Sequence, residues 1–272
     1  MLVVFDLTGR VVVVSGGNAG IGFAMARGIA RAGGDVVVWG RRPEKNEQAV
    51  RELASFGGRV LAQQVDVGDE ARVVEAMREA AEEFGRVDGV IANAGLMSHE
   101  RSFLDMTSEA WHGLLAVNQH GAYLAVREGA RQMKRQWDAG DTSGGSLLFC
   151  ASLSALTGSP GMQHYNAAKG AMVAMSRGIA VEAGRYGIRS NVVCPGHTVS
   201  ETVSMPDDHP VVERVRRYNP SGRMGLAEDF EGIAVYFMSS LSRFHTGDLV
   251  VIDGGWMANA GKSDILGLPQ WP

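Results

Sequence analysis

Hydrophobic positions along the chain form short continuous runs that alternate with longer amphipathic segments. The run at residues 11–14 consists of valine alone, without polar alternation, which is typical of a strand buried on both faces. Residues 21–32 are rich in alanine and are followed by Gly33 and Gly34, which predicts a helix that ends there. The same alternation of strand and helix patterns continues along most of the chain.

The later apolar runs predict further strands at residues 36–39, 60–65, 87–92, 147–150, 189–194 and 249–252. Helices are predicted from Pro43 onward and at residues 69–84, 108–137, 163–186 and 227–240. Strands that alternate with helices connect by right-handed crossovers, so the pattern predicts an α/β fold. We expect one domain built on a doubly wound parallel sheet of about seven strands with helices on both faces. Its core spans residues 7–256, and a loop at residues 197–220 and a tail at residues 259–272 lie outside the alternation.

Composition and charge narrow the class of protein. Of the 272 residues, 45% are hydrophobic. A chain of this length buries roughly three-quarters of its unfolded surface, so a hydrophobic core forms without disulfide bonds or bound metal ions. A net charge of −4 argues against a broadly basic nucleic-acid binder. The two cysteines, Cys150 and Cys194, lack metal-site spacing, which excludes a disulfide scaffold and a cysteine-rich zinc module. Without a membrane-length apolar stretch or a signal-peptide pattern, the chain is expected to be soluble and cytoplasmic.

A glycine-rich loop at residues 15–22 lies between the first predicted strand and the first predicted helix. Gly16 permits a tight turn, Gly20 lets the backbone approach a pyrophosphate, and Gly22 lets the helix pack close to the strand. The free N–H groups at the helix start favour phosphate. The spacing G-x-x-x-G-x-G differs by one residue from the commonest dinucleotide fingerprint, and a plain glycine turn is the alternative. We predict a Rossmann-type NAD(P) site whose loop contacts are Ser15, Gly16, Asn18, Gly20, Ile21 and Gly22.

The end of the second predicted strand bears on which cofactor binds. An acidic residue there binds the ribose 2′-hydroxyl of NAD, whereas an arginine accepts the 2′-phosphate of NADP. The chain has Gly40, Arg41 and Arg42 at this point and no carboxylate. The pattern therefore favours NADP(H) over NAD(H), with Arg41 as the main phosphate contact and Arg42 as its support. Two solvated arginines at a helix start are the alternative.

Tyr165 and Lys169 are four residues apart in a predicted helix, which places both side chains on one face. A phenol, with a reference pKa near 10, exchanges protons at neutral pH only where a neighbouring cation favours its ionised form. A lysine ammonium nearby is such a cation. We therefore predict a catalytic Tyr–Lys pair, and an exposed helical pair without function is the alternative.

Further motifs occur in a fixed order around this pair. Ser152 follows the fifth predicted strand and Asn118 lies in the long middle helix. With the glycine loop, they make the chain resemble the classical short-chain dehydrogenase/reductase (SDR) family over residues 7–256. Ser15, where the family usually has Thr, and Ala92, where it usually has Asn, are small departures. The other matching motifs are Asp66-Val67, Asn93-Ala94-Gly95, Pro195-Gly196, Thr246-Gly247 and Asp253-Gly254-Gly255.

The resemblance implies a role for each catalytic residue. Tyr165 donates a proton to a substrate carbonyl oxygen in reduction and removes it from the alcohol in oxidation. Lys169 assists Tyr165 and binds the nicotinamide ribose, and Ser152 stabilises the charge on the substrate oxygen. Asn118 holds a water that links Lys169 to solvent.

The resemblance also implies the remaining cofactor contacts. Asp66 and Val67 border the adenine, Asn93 supports the cofactor near the adenosine ribose, and the backbone at Thr198 meets the carboxamide. Ser200 is the weakest match to the family's threonine in that loop. The cofactor residues expected outside the glycine loop are Arg41, Arg42, Asp66, Val67, Asn93, Gly95, Tyr165, Lys169, Pro195, Gly196 and Thr198.

Three side chains are predicted to contact the substrate. Gln163 and His164 precede Tyr165, and His197 follows the Pro-Gly turn beside the expected nicotinamide. A solvated histidine at a helix N-terminus is the alternative for His164. The histidines lack two-ligand spacing, so no metal site is expected. In the SDR family the segment that corresponds to residues 197–220 closes over substrate, so it is expected to set specificity.

The function expected from these residues is NADP(H)-dependent interconversion of a ketone or aldehyde and an alcohol. The alternatives are an NAD-dependent alcohol dehydrogenase of the same family and a non-catalytic nucleotide-binding sensor or scaffold. An extended-type epimerase is disfavoured by the glycine spacing and by the little chain after Gly255. The expected partner is a small-molecule substrate, with no nucleic acid and no membrane. The family resemblance implies a homotetramer, or a homodimer, through the middle helices and the last helix and strand.

Overall fold

Seven parallel strands form one sheet in the order β3-β2-β1-β4-β5-β6-β7, with helices on both faces. The computed structural model describes residues 5–199 and 206–259. The strands are β1 Val11–Ser15, β2 Asp35–Gly40, β3 Val60–Gln64, β4 Gly89–Ala92, β5 Gly145–Cys150, β6 Ile188–Pro195 and β7 Leu249–Ile252. The helices are α1 Gly20–Arg31, α2 Pro43–Ala54, α3 Glu70–Phe84, α4 Ser108–Leu115, α5 Ala122–Asp138, α6 Gln163–Ala183, α7 Pro210–Tyr218, α8 Glu231–Met238 and α9 Trp256–Asn259. The predicted doubly wound sheet of seven strands is confirmed.

The valine run of β1 explains why the sheet is covered on both faces. Val11 and Val13 pack in one core cluster with side chains of α3 and α5, whereas Val12 and Val14 pack in a second cluster with side chains of α1 and α8. Successive strand residues point to opposite faces, so a strand between two helical layers is apolar at every position. Each of these valines is almost fully buried, and such burial stabilises the fold by about 1.5–3 kcal/mol per side chain.

The order of the strands positions the functional site. From β1 the chain passes to β2 and β3 on one side, and β4 then returns to pair with β1 on the other side. The connections after β1 and β4 therefore diverge at the carboxyl ends of two neighbouring strands. A crevice forms at such a reversal in doubly wound sheets, and ligands bind there.

The middle helix differs from the prediction of one helix over residues 108–137. The structure instead has α4, a π-helical turn at Ala116–Gly121, and then α5. A Cβ atom on Gly121 would lie 2.5 Å from Cγ2 of Val67, so the helix passes very close to the loop after β3. The hydrophobic pattern did not indicate this turn, because six residues are too few to distinguish i+4 from i+5 bonding.

Other boundaries shift by a few residues. β4 begins at Gly89 rather than at residue 87, because the carboxylate of Asp88 accepts hydrogen bonds from the Val11 N–H and from Arg10. The last predicted helix consists of a 3₁₀ turn at Ala227–Phe230 followed by α8. Within residues 5–199 and 206–259, no helix combines the length and apolarity needed to cross a bilayer. Of the predicted tail, only Asn259 belongs to the described residues.

Candidate active site

The loop between β1 and α1 has the geometry of a phosphate cradle. Gly16 and Gly20 have φ angles of 65° and 55°, in the left-handed region that favours glycine. A Cβ atom on Gly16 would lie 3.0 Å from Cα of Ala94, so only glycine lets the two loops approach this closely. All residues of α1 are described. Its N-cap residue, Ala19, makes no side-chain hydrogen bond to the helix, and its first turn has no acidic residue. The helix N–H groups are therefore available to an anion.

Ser15 and Gly22 do not line the cleft and instead brace the loop from behind. Oγ of Ser15 accepts hydrogen bonds from the N–H groups of Asn93 and Ala94, at 3.0 and 3.1 Å. Nδ2 of Asn93 donates to the carbonyl oxygens of Ser15 and Gly16, both at 3.2 Å. A Cβ atom on Gly22 would lie 2.3 Å from the same Nδ2. Ser15 and Asn93 therefore hold the ends of β1 and β4 together, and the cofactor contact predicted for Ser15 and Gly22 stays a prediction.

Asn18 lines the cleft and is held by a residue that the sequence analysis missed. Nδ2 of Asn18 donates to Oδ1 of Asn46 at 2.7 Å, and Nδ2 of Asn46 donates to the carbonyl oxygen of Gly40 at 3.0 Å. An asparagine in the first turn of a helix is common, so the sequence does not predict that Asn46 contacts the glycine loop. Asn46 thus joins the glycine loop to the end of β2.

Arg41, Arg42 and Asp66 lie at the end of the cleft away from Tyr165, as the sequence places them. The guanidinium of Arg41 lies 3.9 Å from a carboxylate oxygen of Asp66, and the Arg41 side chain is 59% exposed. An ion pair this long and this exposed contributes little stability. Arg41 is therefore free to reorient toward a ligand phosphate. Val67 lines the same end of the cleft.

Ser152, Tyr165 and Lys169 line the opposite end of the same cleft, whose volume is ≈ 910 Å³. Nζ of Lys169 lies 5.6 Å from the centroid of the Tyr165 ring and donates a hydrogen bond to the carbonyl oxygen of Cys150 at 2.8 Å. Ser152 begins a 3₁₀ turn directly after β5, and its Oγ accepts from the N–H of Ser154 at 3.2 Å. The structure therefore brings the predicted catalytic serine, tyrosine and lysine together.

Asn118 lies within the π-helical turn, is fully buried and is outside the described cleft lining. Its Oδ1 accepts from the N–H of Leu96 at 2.7 Å, and its Nδ2 donates to the carbonyl oxygen of Leu96 at 2.8 Å. Gly95 and Leu96 line the cleft. The amide of Asn118 therefore fixes the loop after β4, a role that the sequence did not predict.

The predicted nicotinamide segment, Pro195 to Thr198, lines the cleft. Oγ1 of Thr198 donates to the carbonyl oxygen of Gly196 at 3.1 Å, and the N–H of Gly225 donates to the carbonyl oxygen of His197 at 2.8 Å. The His197 ring packs edge-on against Trp256, with 4.5 Å between centroids. Burial, then repulsion from a nearby arginine, lowers the pKa of His197 from its ordinary value. Ser200 lies outside the described residues.

Gln163 and His164 are absent from the cleft lining that the described residues form. His164 is fully buried, and its Nε2 shares a hydrogen bond of 2.8 Å with Oγ of Ser98. Successive residues of a helix point about 100° apart, so the residue before Tyr165 faces away from the side that Tyr165 and Lys169 present. The substrate contacts predicted for Gln163 and His164 do not match this placement.

Several apolar side chains of the cleft were not among the predicted site residues, although Met162 was noted beside Gln163 and His164. They follow the carboxyl ends of strands, precede α6, or lie in and after α7, and they are Leu96, Met97, Leu153, Met162, Val211, Met224 and Trp256. The rule that ligands bind at the carboxyl ends of parallel strands would have indicated Leu96 and Met97 after β4 and Trp256 after β7.

Comparisons with known proteins agree with this architecture. A family model described as enoyl-(acyl carrier protein) reductase matches residues 16–257. An L-rhamnose 1-dehydrogenase (NAD(P)(+)) of Sphingomonas sp. (strain SKA58) is 34% identical over 93% of this chain and 98% of its own length. An NADP-dependent (R)-specific alcohol dehydrogenase of Lentilactobacillus kefiri is also 34% identical, over the same shares of the two chains. The crystal structure of a short-chain type dehydrogenase/reductase from Mycobacterium marinum superposes with a TM-score of 0.85 at 31% identity, covering 93% of this chain and 97% of the other.

The family model spans most of the chain, and relatives above 30% identity match it almost end to end. Their agreement with the glycine loop, the seven-stranded sheet and the Ser–Tyr–Lys cluster settles the family. This chain belongs to the classical short-chain dehydrogenase/reductase family of oxidoreductases.

Proposed function

We propose that this protein catalyses the reversible, NADP(H)-dependent reduction of a ketone or aldehyde to an alcohol, with Tyr165 as the acid and base. The main support for the proposal is that one cleft contains two chemically distinct sets of residues, one at each end. One end has the glycine loop and the start of α1, which suit a pyrophosphate. The other has Ser152, Tyr165 and Lys169, which suit proton transfer at an oxygen atom.

The residues of the cleft fit a nicotinamide dinucleotide. Gly16, Gly20 and the first N–H groups of α1 would hold the pyrophosphate, since their backbone conformations leave no side chain in its way. Asp66 and Val67 would border the adenine, and Asn93 and Gly95 would support the adenosine side. Pro195, Gly196 and Thr198 would flank the nicotinamide. When bound, this cofactor supplies or accepts the hydride.

The protein's own contribution is proton transfer and electrostatic stabilisation. In reduction the Tyr165 hydroxyl donates a proton to the substrate oxygen, and in oxidation its phenolate takes that proton back. The positive charge of Lys169 stabilises the phenolate across the 5.6 Å that separates Nζ from the ring centroid. The Ser152 hydroxyl donates a hydrogen bond to the substrate oxygen as negative charge develops there.

The preference for NADP(H) rests on Arg41 and Arg42. Both side chains line the cleft end where the adenosine ribose would lie, and guanidinium groups bind phosphate through paired hydrogen bonds. The Lentilactobacillus relative is named as NADP-dependent, and the Sphingomonas relative is named for both cofactors. An NAD-dependent enzyme of the same family is the alternative, and exchange of Arg41 distinguishes the two.

We further propose that the enzyme acts in the cytoplasm as a homotetramer. Exposed apolar side chains support self-association near the last strand, where Phe244 is fully exposed, and along α5 and α6, where Tyr123 and Val181 are exposed. Light scattering coupled to gel filtration measures the assembly directly. A monomeric mass would contradict this part of the proposal.

The central experiment combines a substrate panel with a Tyr165→Phe variant. Carbonyls and alcohols are tested with each cofactor, and turnover is followed by the absorbance of the reduced nicotinamide. We expect Tyr165→Phe to lower kcat by about 10²–10⁴-fold, while NADPH still quenches tryptophan fluorescence with unchanged affinity. Tyr186→Phe, whose ring packs against Trp137 outside the described cleft lining, is the matched control. Substantial activity of Tyr165→Phe, or no NADPH binding by the wild-type protein, would contradict the proposal.

A further inference from the structure

The part of the cleft beyond Tyr165 has an apolar wall. Its described side chains include three methionines, and the set is Leu96, Met97, Leu153, Met162, Val211, Met224 and Trp256. Leu96, Met97 and Val211 are 37%, 46% and 37% exposed, so the wall presents accessible apolar surface. Apolar surface of this kind inside a concave site is typical of a binding surface for an apolar ligand.

This apolar wall is held in place from behind. The amide of Asn118 fixes Leu96 through two hydrogen bonds, at 2.7 and 2.8 Å. Met224 packs with two buried valines of α7, and Trp256 packs against the same small cluster. Because α7 also contributes Val211 to the cleft, the helix both covers and supports the wall. The wall therefore belongs to the folded core and is preformed for binding.

Two described threonines at this end of the cleft already have hydrogen-bond partners within the protein. Oγ1 of Thr157 donates to the carbonyl oxygen of Leu153 at 3.1 Å, and Oγ1 of Thr198 donates to that of Gly196 at 3.1 Å. The carboxylate and amide side chains in the described lining, those of Asp66, Asn18 and Asn93, serve the cofactor end. A sugar bound beyond Tyr165 would therefore press several hydroxyl groups against apolar side chains, which weakens binding.

Among the described residues, His197, Ser154 and Ser159 are the other polar side chains of the lining near this wall. The His197 ring contacts Trp256, and its Nδ1 is buried without a hydrogen-bond partner among the described residues. The backbone on both sides of the ring is fixed, because Gly225 exchanges hydrogen bonds with His197 and Val199. The imidazole and the two serine hydroxyls thus offer a few polar positions on a mostly apolar surface.

Building on the proposed oxidoreductase function, we propose that the substrate is a bulky apolar ketone, alicyclic or aromatic, or the corresponding secondary alcohol. Its reacting oxygen meets Ser152 and Tyr165, and its ring lies against the wall formed by Leu96, Met97 and Trp256. Any further polar group of the substrate faces His197 or the hydroxyls of Ser154 and Ser159. The flexible methionines let the wall adapt to rings of different shape. Polyhydroxylated sugars are poor substrates.

The test is a kcat/KM series with saturating NADPH. The ketones are cyclopentanone, cyclohexanone, cycloheptanone and 1-tetralone, and the polyhydroxylated comparisons are dihydroxyacetone and L-sorbose. We expect kcat/KM to rise about two- to fourfold for each CH₂ group added to the ring. We expect the best cyclic ketone to exceed either hydroxylated ketone by about a hundredfold, as several hydroxyl groups lose their water partners.

A variant of the wall gives a second measurement. Met97→Gln keeps the length of the side chain but makes it polar, so it should raise KM for the cyclic ketones about fivefold to tenfold and leave NADPH affinity unchanged. Leu104→Gln is the control, because Leu104 is exposed and lies outside the cleft lining. A polar side chain at residue 97 that leaves the cyclic-ketone KM unchanged would contradict the inference.

The outcomes separate this inference from the proposed function. Reduction of the hydroxylated ketones with equal or higher kcat/KM than the cyclic ones overturns the apolar substrate class and leaves the oxidoreductase proposal intact. Absence of NADPH binding overturns both, as does NADPH binding without reduction of any ketone in the two sets. Reduction of the cyclic ketones with the expected slope supports both.

Discussion

The ammonium of Lys169 donates a hydrogen bond of 2.8 Å to the carbonyl oxygen of Cys150, the last residue of β5. Lys169 is almost fully buried, so this bond fixes the position of its charge. Ser152 lies only two residues beyond Cys150. The end of one strand therefore sets the positions of both the charge and the hydroxyl that act on Tyr165 and its substrate.

Replacing this lysine by a side chain of similar shape tests the charge alone. At the 5.6 Å between Nζ and the Tyr165 ring centroid, a unit charge interacts with a phenolate by about 3 kcal/mol at an effective dielectric near 20. We therefore expect Lys169→Met to lower kcat by about a hundredfold or more, measured by steady-state kinetics in both directions. Lys134→Met, which removes an exposed lysine paired with Asp138, is the control. A kcat within a few-fold of the wild-type value would show that the charge of Lys169 does not assist Tyr165.

The regular features of the fold and site were predictable from sequence because they depend on local periodicity. The valine run of β1 predicts a doubly covered strand, and the four-residue spacing of Tyr165 and Lys169 predicts a shared helix face. The same helical geometry, applied to His164, would have predicted that it points away from Tyr165. The substrate contact predicted for His164 rested on nearness in sequence, which is a poor guide to nearness in space on a helix.

Other features depend on contacts between distant segments and left no local pattern. The π-helical turn places Asn118 against Leu96, and Asn46 reaches Asn18 across the end of β2. Ser15 is predicted to contact the cofactor, and its hydroxyl also meets the chain after β4. Such hydrogen bonds join residues that are 22 to 78 positions apart, and only the folded chain brings them together.

Charge reversal at Arg41 tests the proposed preference for NADP(H). Arg41→Asp removes a charge-assisted contact to the 2′-phosphate and adds a carboxylate that repels it, which favours the ribose hydroxyl of NAD. We expect the ratio of kcat/KM with NADP to that with NAD to fall by about tenfold to a hundredfold. Steady-state titration of each cofactor measures this ratio.

Arg51→Asp is the matched control for that experiment. Arg51 lies in α2, is exposed and pairs with Glu47, so its reversal changes the net charge equally but is remote from the cleft lining. An equal shift of the cofactor ratio in both variants would show that the change in net charge, and not a contact made by Arg41, causes the effect. An unchanged ratio in Arg41→Asp would contradict the phosphate contact.

Asn118 offers a test of a positioning residue. In Asn118→Leu the partly buried N–H and carbonyl oxygen of Leu96 lose their partners, and each lost hydrogen bond destabilises by about 0.5–1.5 kcal/mol. We expect the free energy of unfolding to fall by about 1–3 kcal/mol and KM for the substrate to rise, because Leu96 lines the cleft. Urea denaturation and steady-state kinetics measure the two effects.

The variant Asn118→Asp separates positioning from loss of a water site. Its carboxylate still accepts from the Leu96 N–H but is a buried charge that faces the Leu96 carbonyl oxygen, so stability should fall at least as far as in Asn118→Leu and KM should rise. A slower kcat in both directions with unchanged KM and unchanged stability would instead support the water-linked proton relay that the family resemblance implies.

Cys194 gives the enzyme a stability that depends on pH in the alkaline range. The thiol is fully buried in β6, and burial raises its pKa from 9.0 to about 11. The unfolded chain therefore loses this proton at a lower pH than the folded chain, so the contribution to stability is intact below pH 9.0 and is lost as pH rises through about 11. In Cys194→Ala this contribution is absent, and only a constant loss of packing remains. The difference in unfolding free energy between wild type and variant should thus shrink by about 1 kcal/mol from about pH 8 to about pH 10. A difference that stays constant over this range would show that the thiol is accessible to solvent in the folded protein.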